Sequence, residues 1–235
     1  MSVLLAQLEI HNRQSGSGGC VADNGICPDW IADNFDRYTT PLWQHVYLTL
    51  VSVAIGFAIA FSLALLAHRR RWLAPPITQV TGVLYTLPSV AVFFLLLPLT
   101  GRGNTTAIIA LVAYTLLILF RNIMEGFENV PVETRDAGRG MGLTQNQLLW
   151  RVELPLALPE IMAGLRIAVT TTVGLGSLAF LAGAGGLGEA LFADINFRSN
   201  VLAAGGLAVA LAVVLDLVVL IAQKLMTPWT RAVGS

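Results

Sequence analysis

Five apolar stretches, divided by short polar clusters, set the pattern of this chain: roughly residues 47–67, 77–99, 105–120, 161–182 and 201–222. A helix needs about 20 mostly apolar residues to cross the hydrocarbon core of a bilayer. The first stretch carries no charge at all, and the third is short enough that it must borrow residues from its flanks. Period-two alternation is absent, so a membrane β-barrel fits poorly. A soluble protein with buried helices fits poorly too, because the polar remainder is too small to cover five such runs. The pattern predicts an all-α integral membrane protein with about five transmembrane helices.

Composition points the same way. Of the 235 residues, 55% are hydrophobic and only 12% are charged, against about a quarter charged in soluble domains. The formal net charge is zero, so nothing favours nucleic acid as a partner. The placement of the charges says more. Arg69, Arg70, Arg71, Arg121, Arg135, Arg139, Arg151, Arg166, Lys224 and Arg231 fall on one side of the expected spans. Arg13, Arg37, Arg102 and Arg198 fall on the other. The excess of basic residues in cytoplasmic loops then puts the amino terminus outside and the carboxyl terminus in the cytoplasm. Residues 1–46 form an external segment, 47–225 the membrane domain, and 226–235 a cytoplasmic tail.

The external segment holds a Ser15-Gly16-Ser17-Gly18-Gly19 stretch and the only cysteines, Cys20 and Cys27. On an oxidising face these two would close a small disulfide loop; two free thiols are the alternative. Pro28-Asp29-Trp30-Ile31 opens a short helix. Trp30, Ile31, Phe35 and Tyr38 fall near one face of it, which predicts a helix lying on the membrane lipid surface or, less plainly, a docking face for an external partner.

Within the spans, Pro88 of Tyr85-Thr86-Leu87-Pro88-Ser89 removes a backbone hydrogen bond and predicts a kink, in a helix that faces the bundle interior. Gly164, Ala168, Thr170 to Thr172, Gly174, Gly176 and Ser177 make the fourth span one that packs closely. Pro88, Ser89, Gly174, Ser177 and Asp216 are the candidates for a translocation pathway or gate. Asp216 has no basic residue within four positions, so it must find a distant partner, bind a proton or face water. Arg166 sits near a helix end, where it can snorkel.

Between the third and fourth spans, residues 121–160 form a long cytoplasmic stretch for so compact a chain. It reads as helix, turn, helix. Asp136 can cap the first helix, Gly142 suits a left-handed helix end, and Thr144 with Gln147 spells a capping box for the second. Leu148, Leu149 and Val152 give the second helix an apolar face. Pro155 should end it, and Pro159 with Glu160 should begin the fourth span.

This segment resembles the cytoplasmic loop of binding-protein-dependent ABC importer permeases. That loop has an acid, two small residues, a glycine four positions on, and a hydrophobic-x-Leu-Pro ending. Asp136, Ala137, Gly138, Gly142, Val152, Leu154 and Pro155 match at the same spacing, with Asp in place of the usual Glu and Gly in place of the second Ala. Thr86-Leu87-Pro88-Ser89, Val152 to Ala157, Gly185-Gly186-Leu187-Gly188 and Asp216 are similar to permeases for osmoprotectant quaternary amines such as glycine betaine, carnitine and choline. The resemblance spans roughly residues 42–225. It implies a type I importer membrane domain, like that of methionine permeases, in a bacterial plasma membrane. It also implies a coupling helix (Asp136, Ala137, Gly138, Arg139, Met141, Gly142 and Leu143, anchored by Leu154 and Pro155) seated on a cytoplasmic ATPase dimer. Further implied partners are a second permease copy or a homologous permease, and an extracytoplasmic substrate-binding protein.

ATP and Mg would then belong to the partner ATPase, with no cofactor on this chain. The only lysine, Lys224, lacks a phosphate-binding loop around it. Gly183 to Gly188 fits a dinucleotide pattern literally, yet no strand precedes it. His11, His45 and His68 have no metal-ligand spacing, so neither a metal site nor catalysis is expected. Competing readings are a permease for amino acids such as methionine, a membrane enzyme, and a stand-alone secondary transporter or channel using Asp216.

Overall fold

The computed structural model describes residues 19–22 and 24–228. Arg13, Arg231 and the Ser15–Gly18 stretch lie outside them. The described residues contain helices and turns and no strand. Apart from a single turn at Gly19–Ala22, the α-helices are α1 (Pro28–Asp33), α2 (Thr39–Arg69), α3 (Ala74–Thr86), α4 (Ser89–Thr100), α5 (Asn104–Glu128), α6 (Val132–Gly140), α7 (Gln145–Leu148), α8 (Leu154–Gly176), α9 (Leu187–Ala193) and α10 (Arg198–Met226).

Among the described residues, three helices are long and apolar enough to cross a membrane: α2, continued by the turn Phe35–Tyr38, together with α5 and α10. The pair α3 and α4 makes a fourth only if the two count as one span, because they meet at 97°. The sequence predicts a kink at Pro88; the chain breaks there instead. Leu87 and Pro88 are both extended (ψ 137° and 125°), as expected where the proline ring crowds the preceding residue out of the helical region. The hydroxyl of Tyr114 donates to the freed Leu87 carbonyl at 2.6 Å.

α8 has 23 residues, long enough for a crossing, though it is not one of the three helices that stand out by length and apolarity. It lies in the middle of the bundle, between α5, α2 and α10. Its bounds also differ from the expected 161–182. The helix starts at Leu154 and stops at Gly176, and a 3-10 turn follows at Ala179–Ala182. Pro155 does not end the preceding helix. It lies just after the π turn Leu149–Glu153, within an uninterrupted helical stretch from Gln145 to Gly176, and Pro159 lies inside α8. α5 likewise runs past the expected 105–120 to Glu128, so the segment between the spans shortens to residues 129–153.

α5 is the spine of the core. Leu119, Phe120, Ile123 and Phe127 pack with Ala60, Ala64 and Ala67 of α2 and with Ala157, Ile161 and Ala168 of α8. Gly164 of α8 lets that helix close on α5, since a Cβ there would stand 2.3 Å from the Asn122 side chain. The loops sort onto two ends of this bundle. At one end Arg69 donates to Asn146 at 2.8 Å and Gln223 to the Pro159 carbonyl at 3.2 Å. At the other the Gly103 amide donates to the Ala182 carbonyl at 2.7 Å.

The amino-terminal segment joins that second end. Cys20 and Cys27 form a disulfide. The Cys27 amide donates to Ser199 Oγ at 2.8 Å, and Asn24 Nδ2 to the Asn196 carbonyl at 2.8 Å. Trp30 stands edge-on to Phe197 with ring centroids 4.7 Å apart, and Tyr38 donates to Asn200 Oδ1 at 2.7 Å. Trp30 and Tyr38 are therefore buried in the protein, not spread on a lipid surface as their spacing suggests. The start of α10 offers Tyr38 a hydrogen-bond partner in Asn200 and Trp30 an aromatic edge in Phe197, contacts that a bilayer would lack.

Candidate functional site

Segment 129–153 is built as local chemistry dictates. α6 begins at Val132, just after Pro131, so Asp136 lies within the helix and does not cap it. Asp136 pairs instead with Arg139 one turn on, at 3.4 Å, and both are exposed. Gly142 adopts φ +83°, a left-handed conformation that a β-carbon disfavours. The amides of Met141, Gly142 and Leu143 then close back on the carbonyls of Ala137, Arg139 and Gly138. The capping box forms: the Thr144 amide donates to Gln147 Oε1 at 2.9 Å and the Gln147 amide to Thr144 Oγ1 at 3.4 Å. A π-helical turn, Leu149–Glu153, leads from α7 into α8.

The segment has an inner and an outer side. Gly138 is buried, and a Cβ there would sit 2.6 Å from Leu148. Leu143 leans on the same spot, and Leu154 packs into the core beside α5. Asp136, Ala137, Arg139 and Met141 face outward, Met141 being 74% exposed. Val132 and Trp150 extend that surface; both escaped the sequence reading, which had no means of telling the faces of such short helices apart.

The sequence also missed what holds the segment in place. Glu153, nearly buried, accepts from His68 Nε2 of α2 at 2.8 Å and pairs with Arg135 Nε of α6 at 3.1 Å. Arg135 also donates to the Phe127 carbonyl at the end of α5. The basic run after the first span was the one available signal, read there only as a marker of membrane side.

The pathway candidates fall in separate places. Pro88 and Ser89 flank the α3–α4 break. Gly174 is exposed with open space beside it, while Ser177 closes α8 by donating its amide to the Gly174 carbonyl at 3.2 Å. Asp216 is tied to Arg166 of α8 by two parallel bonds, 2.8 Å from Nε and 2.7 Å from Nη2. Of the outcomes open to Asp216, the distant partner is the one found. No group of three or more metal-ligating side chains occurs among the described residues.

Residues 52–232 match the profile of a family described as the inner membrane component of binding-protein-dependent transport systems. The chain belongs to that family. It is 36% identical over 206 residues to the osmoprotectant import permease protein OsmW of Salmonella typhimurium, covering 85% of this chain and 96% of that one. It is 34% identical to the choline transport system permease protein OpuBB of Bacillus subtilis, over 79% of this chain and 87% of that one. The fold resembles a chain from inward-facing conformations of the MetNI methionine ABC transporter, with a TM-score of 0.69 and 23% identity over 84% of this chain and 96% of that one. This permease is thus a transmembrane subunit of an ABC importer, a multi-pass inner membrane protein, and its fold is that of the methionine-importer type.

Proposed function

We propose that this permease imports glycine betaine or a related quaternary amine, driven by a separate ATPase that docks on the outward side of α6. One observation carries the substrate class: relatives named for osmoprotectants, choline and carnitine align over most of their own length at 30–36% identity. Asp136, Ala137, Arg139 and Met141 form the docking face. Gly138, Leu143, Leu154 and Pro155 hold that face on the bundle.

The distribution of basic residues over the two ends of the fold supports an orientation. The end with segment 129–153 also carries Arg69, Arg70, Arg71, Arg151 and Lys224 and faces the cytoplasm. The other end carries Arg37, Arg102 and Arg198, holds the disulfide and meets the substrate-binding protein. Five crossings result, with α8 as the fourth. A second copy or a homologous permease completes the pathway, and ATP and Mg are used on the ATPase.

The test is reconstitution. The chain, purified with its ATPase and binding protein in proteoliposomes, should take up labelled betaine only with ATP, and unlabelled methionine should not compete. Uptake of methionine in place of betaine overturns the substrate; uptake by the chain without ATPase overturns the class.

Gly142→Val gives a sharper check of the docking face. No atom lies within 4 Å of a Cβ built there, so the damage comes from the backbone: left-handed geometry costs a non-glycine residue about 1–2 kcal/mol. The variant should insert normally yet lose the ATPase on purification and lose uptake. Gly142→Asn, which tolerates this conformation better, should keep most of both.

A further inference from the structure

The proposed docking explains why α6 should face the cytoplasm. It does not explain why a carboxylate is buried behind it. Glu153 is the last residue of the π turn, the joint between the docking segment and α8. Its side chain is 7% exposed. One oxygen receives His68 from the end of α2, and the other faces Arg135 of α6. Arg135 reaches on to the Phe127 carbonyl at the end of α5, and the His68 ring lies against Phe127 with centroids 4.6 Å apart. A second tie runs from Arg69 of α2 to Asn146 of α7 at 2.8 Å. Four helices thus meet at one acid.

A π turn is a point where a helix bends readily. Left alone, it would let α6 and α7 pivot on α8, and a push on the docking face would be spent in that pivot. Removing the acid would also leave Arg135 and His68 facing each other across a largely buried space, which is costly. We infer that Glu153 is a positioning residue which, through His68 and Arg135, locks the docking segment to α2 and α5, so that displacement of α6 carries those helices with it. This rests on the reading of α6 as the docking element.

Glu153→Gln keeps the size of the side chain and can still accept from His68, but it abolishes the ion pair with Arg135. In the complex of chain, ATPase and binding protein, this variant should still hold the ATPase and hydrolyse ATP. The ATP spent per betaine imported should rise about tenfold or more, within the usual range of coupling between sites. Where the variant does not assemble, His68→Leu and His68→Gln read the same joint. Leucine removes the donor and should raise the ratio; glutamine supplies an amide donor and should restore it. A wild-type ratio in Glu153→Gln, or equal ratios in the two His68 variants, overturns the inference.

A second measurement needs no solute. Spin labels on Gly140→Cys, in open space at the end of α6, and on Arg70→Cys, at the end of α2, report the α6–α2 distance. With Glu153 present, that distance should be narrow and the same in nucleotide-free and ATP-trapped complexes; with Glu153→Gln it should broaden or shift. An equally narrow, unchanged distance in the variant overturns the lock. Failure of betaine uptake by the wild-type complex would instead count against the proposed substrate, and leaves this distance readable.

Discussion

Replacing Asp216 with leucine is expected to lower the yield of membrane-assembled protein severalfold, and adding Arg166→Met in the same chain is expected to recover most of it. The reasoning starts from geometry. Both nitrogens that Arg166 presents to Asp216 meet separate carboxylate oxygens, the paired arrangement in which guanidinium and carboxylate bind best. Each charge sits well inside a helix of the bundle and is partly exposed on its surface, and at such a position in a bilayer a lone ion disfavours insertion. The single variant strands the arginine, whereas the double variant leaves no charge to strand and joins α8 to α10 by apolar contact. Breaking one half of such a pair characteristically costs more than replacing both halves. Asp216→Asn should fall between them, since an amide oxygen still accepts one bond. The measurement is the amount of chain recovered from membranes and its assembly with the ATPase. Equal losses in the single and double variants would show that Asp216 acts in some way other than by neutralising Arg166.

The second large effect is expected at the opposite end of the bundle. Gly188 opens α9 against the end of α8, and a Cβ there would stand 1.8 Å from the Ser177 carbonyl oxygen and 2.6 Å from its carbon. Backbone cannot step aside as a flexible side chain can. Gly188→Ala must therefore lift α9 from α8. The contacts just before it would go with it: the Gly186 amide on Gln44 Oε1 at 3.1 Å and the Leu187 amide on His45 Nδ1 at 3.3 Å. Overpacking of this kind costs about 1–3 kcal/mol. The purified variant should unfold at a lower temperature and lose uptake, yet it should still hold the ATPase, whose proposed docking face lies at the far end. Unchanged melting and uptake would mean that α9 can shift without cost.

Much of the docking segment was legible because its determinants are local. A glycine that must be left-handed and a threonine and glutamine three apart act on their own neighbours, so spacing alone reveals them. Gly142 and the Thr144–Gln147 box are of this kind. Asp136 was misplaced as a cap because the true start, at Val132, depends on Pro131 and on how far α5 runs, and hydropathy did not mark the end of α5. Glu153, His68 and Arg135 went unread for a different reason. They are far apart in the chain, and the basic run beside His68 marks a membrane side without pointing to a partner.

The pattern of apolar runs by itself determined that the chain is a bundle of membrane helices, and local residues determined the left-handed Gly142 and the Thr144–Gln147 capping box, because hydrophobic burial and backbone preference act residue by residue. Only the tertiary structure decided that Asp216 meets Arg166, that Trp30 turns inward onto Phe197 and Tyr38 onto Asn200, that Pro88 breaks a span instead of bending it, and that a buried acid ties α6 to α2. Each of these depends on which helices become neighbours. That choice minimises unpaired charge and empty space over the whole bundle at once, and no stretch of sequence carries it alone.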